Sequence, residues 1–194
     1  VTLIAHLGDD FGAPGGVRQN PSLVDRIGQG LLDVDVFSRV HGGLGNDRID
    51  GGLGSDVIEG GAGNDTLIGG ASDGDGDTVF YTNATAGVTV SLAITVAQNT
   101  VGVGTDVISG FENLTGSDFN DQLTGNAGDN RLDGGIGVDT LAGGDGSDIY
   151  RFNLGDGYDT IADVTNNIGL PSEDVIELGA GLTTANIVLS RPAG

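Results

Sequence analysis

The stretch Gly42–Ile68 constrains the fold more than any other part of this sequence. It reads GGLGNDRID, GGLGSDVIE and GGAGNDTLI, three tandem nonapeptides of the form Gly-Gly-x-Gly-x-Asp-x-U-x, where U is a large aliphatic residue. A unit this short cannot bury a hydrophobic face alone, so the units must stack. Glycines at the first, second and fourth places permit positive φ and let one turn lie close on the next. The last three residues form an extended segment whose side chains alternate, so Ile49, Ile58 and Leu67 point one way and their neighbours the other. Those three are the expected core. A flexible Gly/Asp linker would need no aliphatic residue at every ninth place.

The sixth place puts Asp47, Asp56 and Asp65 at corners of the stack, beside carbonyl oxygens that Gly43, Gly45, Gly52, Gly54, Gly61 and Gly63 leave uncovered. Carboxylate and carbonyl oxygens together make a hard donor set suited to calcium. Two nonapeptides complete one coil, so Asp47 should meet Asp65 and Asp56 should meet Asp77. Before Asp77 the segment GGASDGDGDTVFY carries three extra residues. Asp73, Asp75 and Asp77 have the spacing that opens an EF-hand loop, but Thr78 and Ala84 stand where that loop needs Gly and Glu. The expectation is a widened turn with room for a further cation.

A second block follows GTDVIS and GFENLT, two shorter rungs. It reads GSDFNDQLT, GNAGDNRLD, GGIGVDTLA and GGDGSDIYR, with Leu114, Leu123, Leu132, Leu141 and Tyr150 in the aliphatic register. Its sixth-place residues are Glu112, Asp121, Asn130, Asp139 and Asp148, and its turn glycines include Gly128, Gly135, Gly137, Gly144 and Gly146. The expected pairs are 112 with 130, 121 with 139, 130 with 148, and 139 with 159. Asn130 brings an oxygen without charge, so its sites should be weaker. Ser117 and Phe119 replace glycines and make the first turn irregular. In NLGDGYDTIAD, Asp156, Asp159 and Asp163 should approach the end of the stack. DTVFY and DIYRF end the two blocks with aromatics that look like lids.

Outside the repeats, Asn20-Pro21 through Gly28 has the cap, first-turn proline and terminal glycine of a short N-terminal helix. Val1–Leu7, Leu32–Val36, DVIEL and ANIVLSR alternate as strands. The expected organisation is a cap over 1–41, a first block over 42–81, a β connector over 82–103, a second block over 104–163 and flanking strands over 164–194. Within the connector, Val88, Val90 and Leu92 alternate as a strand of a hairpin or wide rung.

Charge narrows the function. With 28 acidic and 7 basic side chains the formal net charge is −21, which excludes nucleic acid or an anionic membrane as the main partner. Carboxylates stacked this closely repel, so folding should wait for cations. No cysteine is present, so calcium takes the place of disulfide staples. No apolar run is long enough to span a membrane. A chain that starts at valine and lacks methionine is expected to be a piece of a longer one. The two histidines, His6 and His41, form no His-Glu-x-x-His, and neither Gly-x-Ser-x-Gly nor a phosphate-binding loop occurs. The carboxylates recur, whereas a catalytic site needs a unique constellation, so no enzyme activity is expected in this chain.

These repeats resemble the haemolysin-type calcium-binding repeats of RTX proteins, found in bacterial toxins, proteases, lipases, adhesins and surface-layer proteins. The resemblance implies an all-β fold, a parallel β-roll or right-handed β-helix solenoid. It also implies calcium ions, about six by the pairs above, held by sixth-place aspartates and glycine-turn carbonyls. It further implies secretion to the extracellular space by type I machinery through the parent chain, with an export signal beyond this segment. Two other roles are consistent with such repeats: an adhesive stalk at a cell surface with a glycan or surface partner, or part of a secreted hydrolase whose catalytic domain lies elsewhere.

Overall fold

A computed structural model describes residues 39–72, 74–163 and 173–183. The expected N-terminal helix, the strands before residue 39, Asp73 and the ANIVLSR strand lie outside these residues. Among the described residues there are fifteen strands and no helix.

One face of the molecule is a single seven-stranded sheet made of β1 (Arg39–Leu44), β3 (Val57–Ala62), β5 (Thr78–Phe80), β9 (Asn113–Thr115), β11 (Arg131–Asp133), β13 (Ile149–Phe152) and β15 (Val175–Leu178), in that order. The opposite face is divided. Its first part holds β2 (Arg48–Leu53), β4 (Thr66–Ala71), β8 (Thr105–Ser109) and β7 (Gln98–Asn99), and its second holds β6 (Thr89–Ser91), β10 (Gln122–Thr124), β12 (Thr140–Ala142) and β14 (Thr160–Ile161). All neighbours are parallel except β7 and β8. The chain thus alternates between two faces, one strand per repeat, as a parallel β-roll does.

Each rung between the ends of the roll gives one side chain to the interior, whereas β14 and β15 bury none. In β10 and β12 the central leucine is buried and its neighbours are not. Ile49, Ile58, Leu67, Val79, Ile108, Leu114, Leu123, Leu132 and Leu141 are all fully sealed from solvent. They stack in register, with Val40 on Ile58, Ile49 on Leu67, and Leu132 between Leu114 and Tyr150. Burying one such side chain is worth about 1.5–3 kcal/mol, and so the core is a file of modest, similar contributions.

Insertions leave this register intact. Ile58 pairs with Val79 across the widened turn, and Val79 pairs with Leu114 across the whole connector. The connector itself supplies β6, whose Val90 lies on Leu123, while Val88 and Leu92 are buried beside it. Where the divided face breaks, Gln98 of β7 bridges to Ser91 of β6: its Oε1 accepts from the Ser91 N–H at 2.8 Å and its Nε2 donates to the Ser91 carbonyl at 2.9 Å. The side-chain amide there substitutes for a neighbouring strand.

The aromatics expected as lids are interior instead. β5 is flanked by β3 and β9, and β13 by β11 and β15, so Tyr81 and Tyr150 close no end of the roll. Tyr150 occupies the leucine register, and its hydroxyl accepts from the Gly143 N–H at 2.7 Å.

Candidate metal centre

The turns between strands carry three ladders of acidic residues. In the first, the Asp47 N–H donates to Asp65 Oδ1 at 2.8 Å and the Asp65 N–H to Asp106 Oδ1 at 2.9 Å. In the second, Asp56 N–H donates to Asp77 at 2.7 Å, Asp77 N–H to Glu112 at 2.9 Å, Asn130 N–H to Asp148 at 2.8 Å and Asp148 N–H to Asp174 at 3.1 Å. The third runs from the Val88 N–H to Asp121 at 2.7 Å, Asp121 N–H to Asp139 at 2.8 Å and Asp139 N–H to Asp159 at 2.9 Å. The ladder spacing is eighteen residues in regular coils and grows to 21 and 35 at the insertion and the connector.

Asp65, Asp77, Asp121, Asp139 and Asp148 each spend Oδ1 on the amide of the coil before. The second oxygen turns toward the first glycine of its own repeat. A Cβ added at Gly42 would lie 2.7 Å from Asp47 Oδ2 and 2.5 Å from the Gly60 carbonyl, so the position is reserved for oxygens. The next glycines face carbonyls in the same way: at Gly61, where φ is +96°, a Cβ would strike the Gly43 carbonyl, and at Gly63 it would strike that of Gly45. Asp47, Asp65, Asp139 and Asp148 each keep a solvent-sealed Oδ2 that accepts no hydrogen bond. The described ion pairs, His41–Glu59, Arg131–Glu177 and Arg151–Asp133, all lie off these four residues.

Buried carboxylates without a counter-charge hold their protons. Burial pushes Asp65 up to about 6, with the charges of Asp106 and Asp47 adding to the effect against the lowering bond from the Asp47 amide. Asp139 rises to about 7 and Asp148 to about 6, again chiefly by burial. Asp106, Asp121 and Asp159 are raised for the same leading reason. A divalent cation beside these oxygens would reverse the penalty. The donors are all oxygen, carboxylate and carbonyl, and fit calcium.

Some rungs are closed by the protein itself. Thr100 Oγ1 donates to Asp106 Oδ2 at 2.9 Å. Ser117, which stands where a glycine does in regular repeats, donates its N–H to Asp121 Oδ2 at 2.6 Å and its hydroxyl to Oδ1 at 2.8 Å. Asn130 Oδ1 accepts from the Asn126 N–H at 2.7 Å, and its Nδ2 donates to the Glu112 carbonyl at 3.0 Å. An N–H therefore sits where the other rungs present an oxygen.

The sequence pairs 47/65, 56/77, 121/139, 130/148 and 139/159 are each joined by a ladder bond, and 112/130 meet through the Asn130 amide. Asp75 is exposed, and it is its backbone carbonyl that receives Asn113 Nδ2 at 2.9 Å. Asp156 stands off the ladder, because its carboxylate accepts from the Asn153 N–H and Nδ2 and closes its own turn. Asp106 and Asp174 were missed. Both precede an isoleucine of the aliphatic register by two residues, as Asp65 precedes Leu67: Ile108 is buried, and Ile176 pairs with Tyr150 at the exposed edge strand; that triplet was the available signal.

Residues 41–75 and 114–150 match the family model of the RTX calcium-binding nonapeptide repeat, in four copies. The chain carries RTX calcium-binding repeats. RTX nonapeptides bind Ca2+, and several of them provide for several ions. The matched spans hold the ladder residues from Asp47 to Asp65 and from Asp121 to Asp148, while Asp106, Asp159 and Asp174 extend the RTX ladders beyond them. No curated protein matches this chain.

Proposed function

We propose that this chain is a calcium-folded RTX module of a secreted bacterial protein, and that its role is to stabilise the parent protein outside the cell. The observation that carries the reading is the set of sealed, unpartnered Oδ2 atoms on Asp47, Asp65, Asp139 and Asp148, each packed against a glycine turn. In this reading an ion between two coils is held by a pair of ladder aspartates, such as Asp47 and Asp65, and by carbonyls of turns such as Gly43 and Gly45. In a calcium-poor cytosol the carboxylates repel, and the chain stays open for export through type I machinery directed by its parent chain. Outside, calcium supplies the missing charge and the coils close. No catalytic step is assigned to the module.

The test is a calcium titration of the metal-free chain followed by circular dichroism. β-signal should appear at roughly 0.1–1 mM calcium, the range of extracellular modules, and magnesium, which demands a tighter octahedron, should not replace it. A chain fully β-folded in chelator would refute the reading.

A further inference from the structure

The RTX reading places ions between successive turns of the repeats. At the C-terminal end of the second ladder the structure offers something different. One carboxylate oxygen from each of Asp148, Asp163 and Asp174 lies within 4.8 Å of the other two. These residues come from three separate segments: the turn before β13, the segment after β14, and the turn before β15. Only Asp148 belongs to a matched repeat.

Two further observations distinguish this group from a chance acidic cluster. Asp148 is 0% exposed, and its Oδ2 accepts no hydrogen bond while pressing against Gly143, where any Cβ would collide with it. The partners are also fixed by the backbone: Asp174 Oδ1 accepts the Asp148 N–H at 3.1 Å, and Asp163 Oδ1 accepts the Gly144 N–H at 3.1 Å. β15 is held in register on β13, with Tyr150 opposite Ile176, so Asp174 is delivered to the turn by strand pairing.

We propose that Asp148, Asp163 and Asp174 form a terminal calcium site that ties the segment after β14 and the strand β15 to the end of the roll. It rests on the calcium-binding reading of the repeats and adds a third carboxylate to the two that a regular inter-turn site would have. Three carboxylates favour a divalent cation over a monovalent one, and the all-oxygen set favours calcium over softer metals. The site would fasten the last described rung of the second ladder to the segment after β14.

The Tyr150 hydroxyl lies beside Asp163, which provides an optical probe. Terbium substitutes for calcium and emits on energy transfer from a nearby tyrosine. The unmodified 194-residue chain and the variants Asp174→Asn, Asp163→Asn, Tyr150→Phe and Asp47→Asn are compared by equilibrium dialysis against calcium and by tyrosine-excited terbium emission. Asp174→Asn and Asp163→Asn should each bind about one ion fewer than the unmodified chain and emit less. Both substitutions keep an oxygen that can accept the backbone N–H, of Gly144 for residue 163 and of Asp148 for residue 174, and remove only the charge. Tyr150→Phe should emit less with an unchanged ion count. Wild-type ion count in both Asp163→Asn and Asp174→Asn overturns the terminal site. Asp47→Asn, at the opposite end, reports on the repeats alone: its loss of an ion while the other two lose none would refute the terminal site and leave the RTX reading standing.

Discussion

A carboxylate sealed from water and given no cation lowers its energy by keeping its proton. Asp65, Asp139 and Asp148 do so up to pH values of about 6, 7 and 6, against an ordinary 3.8. Their folded pKa is raised, so their contribution to the metal-free fold is fully present below the unfolded value and is lost as pH rises through about 6 to 7. Acid should therefore partly substitute for calcium, with metal-free β-signal growing as pH falls from about 7 toward 4. Calcium must displace these protons, so its folding midpoint should move to higher concentration over the same fall. Circular dichroism of calcium titrations at several pH values tests both signs; a midpoint independent of pH contradicts them. Asn130 makes the converse case, since its Nδ2 donates to the Glu112 carbonyl where other rungs have an oxygen. Asn130→Asp should cost the metal-free fold on the order of 1–3 kcal/mol, as one buried donor is lost and oxygens face each other. With calcium it should gain about one ion, measurable by dialysis.

Strands here are short, and each is worth little alone. The single inward residue per rung decides the outcome. Leu132 lies between Leu114 and Tyr150 and is wholly buried, so Leu132→Ala should cost roughly 2–5 kcal/mol, while Leu132→Asp should abolish folding at any calcium level. Ile136→Ala, at an exposed turn position, should change stability by less than about 0.5 kcal/mol; thermal melts of the three in saturating calcium make the comparison. The same residues explain what could be read in advance. The aliphatic residue at every ninth place and the Asp two places before it are local signals, and they located the core and most ladder pairs. Asp106 has only the second and fourth glycines of the motif, Gly102 and Gly104, and Asp174 has neither of those two, so both passed unread. Thr100 and Ser117 cap Asp106 and Asp121 through contacts six and four residues away, set by the shape of their own turns, and Asp163 reaches the Gly144 amide nineteen residues back. The sequence marked the turn at Ser117 as irregular and placed Asp163 near the end of the stack, but the partners depend on turn geometry that spacing does not carry. Tyr81 and Tyr150 were misjudged as lids because a sequence shows where a block stops but not what stacks beyond it.

At the scale of the molecule, calcium and core must be weighed together. Each ion at a hundredfold excess over its dissociation constant adds about 2.7 kcal/mol, so two or three ions already match the 5–15 kcal/mol of a typical domain. Removing calcium by chelation should then abolish the cooperative melting transition, not merely lower it; calorimetry showing the transition intact in chelator would contradict this. A last consequence lies in the uneven two faces. The seven-stranded face runs unbroken from β1 to β15, whereas the opposite one is interrupted between β7 and β6 and joined there by the Gln98 amide. In mechanical terms the molecule is a beam with a continuous flange on one side and a spliced flange on the other. It should resist bending that compresses the splice and yield to bending that opens it, so that under load the roll gives way as two stiff segments hinged along β5 and β9.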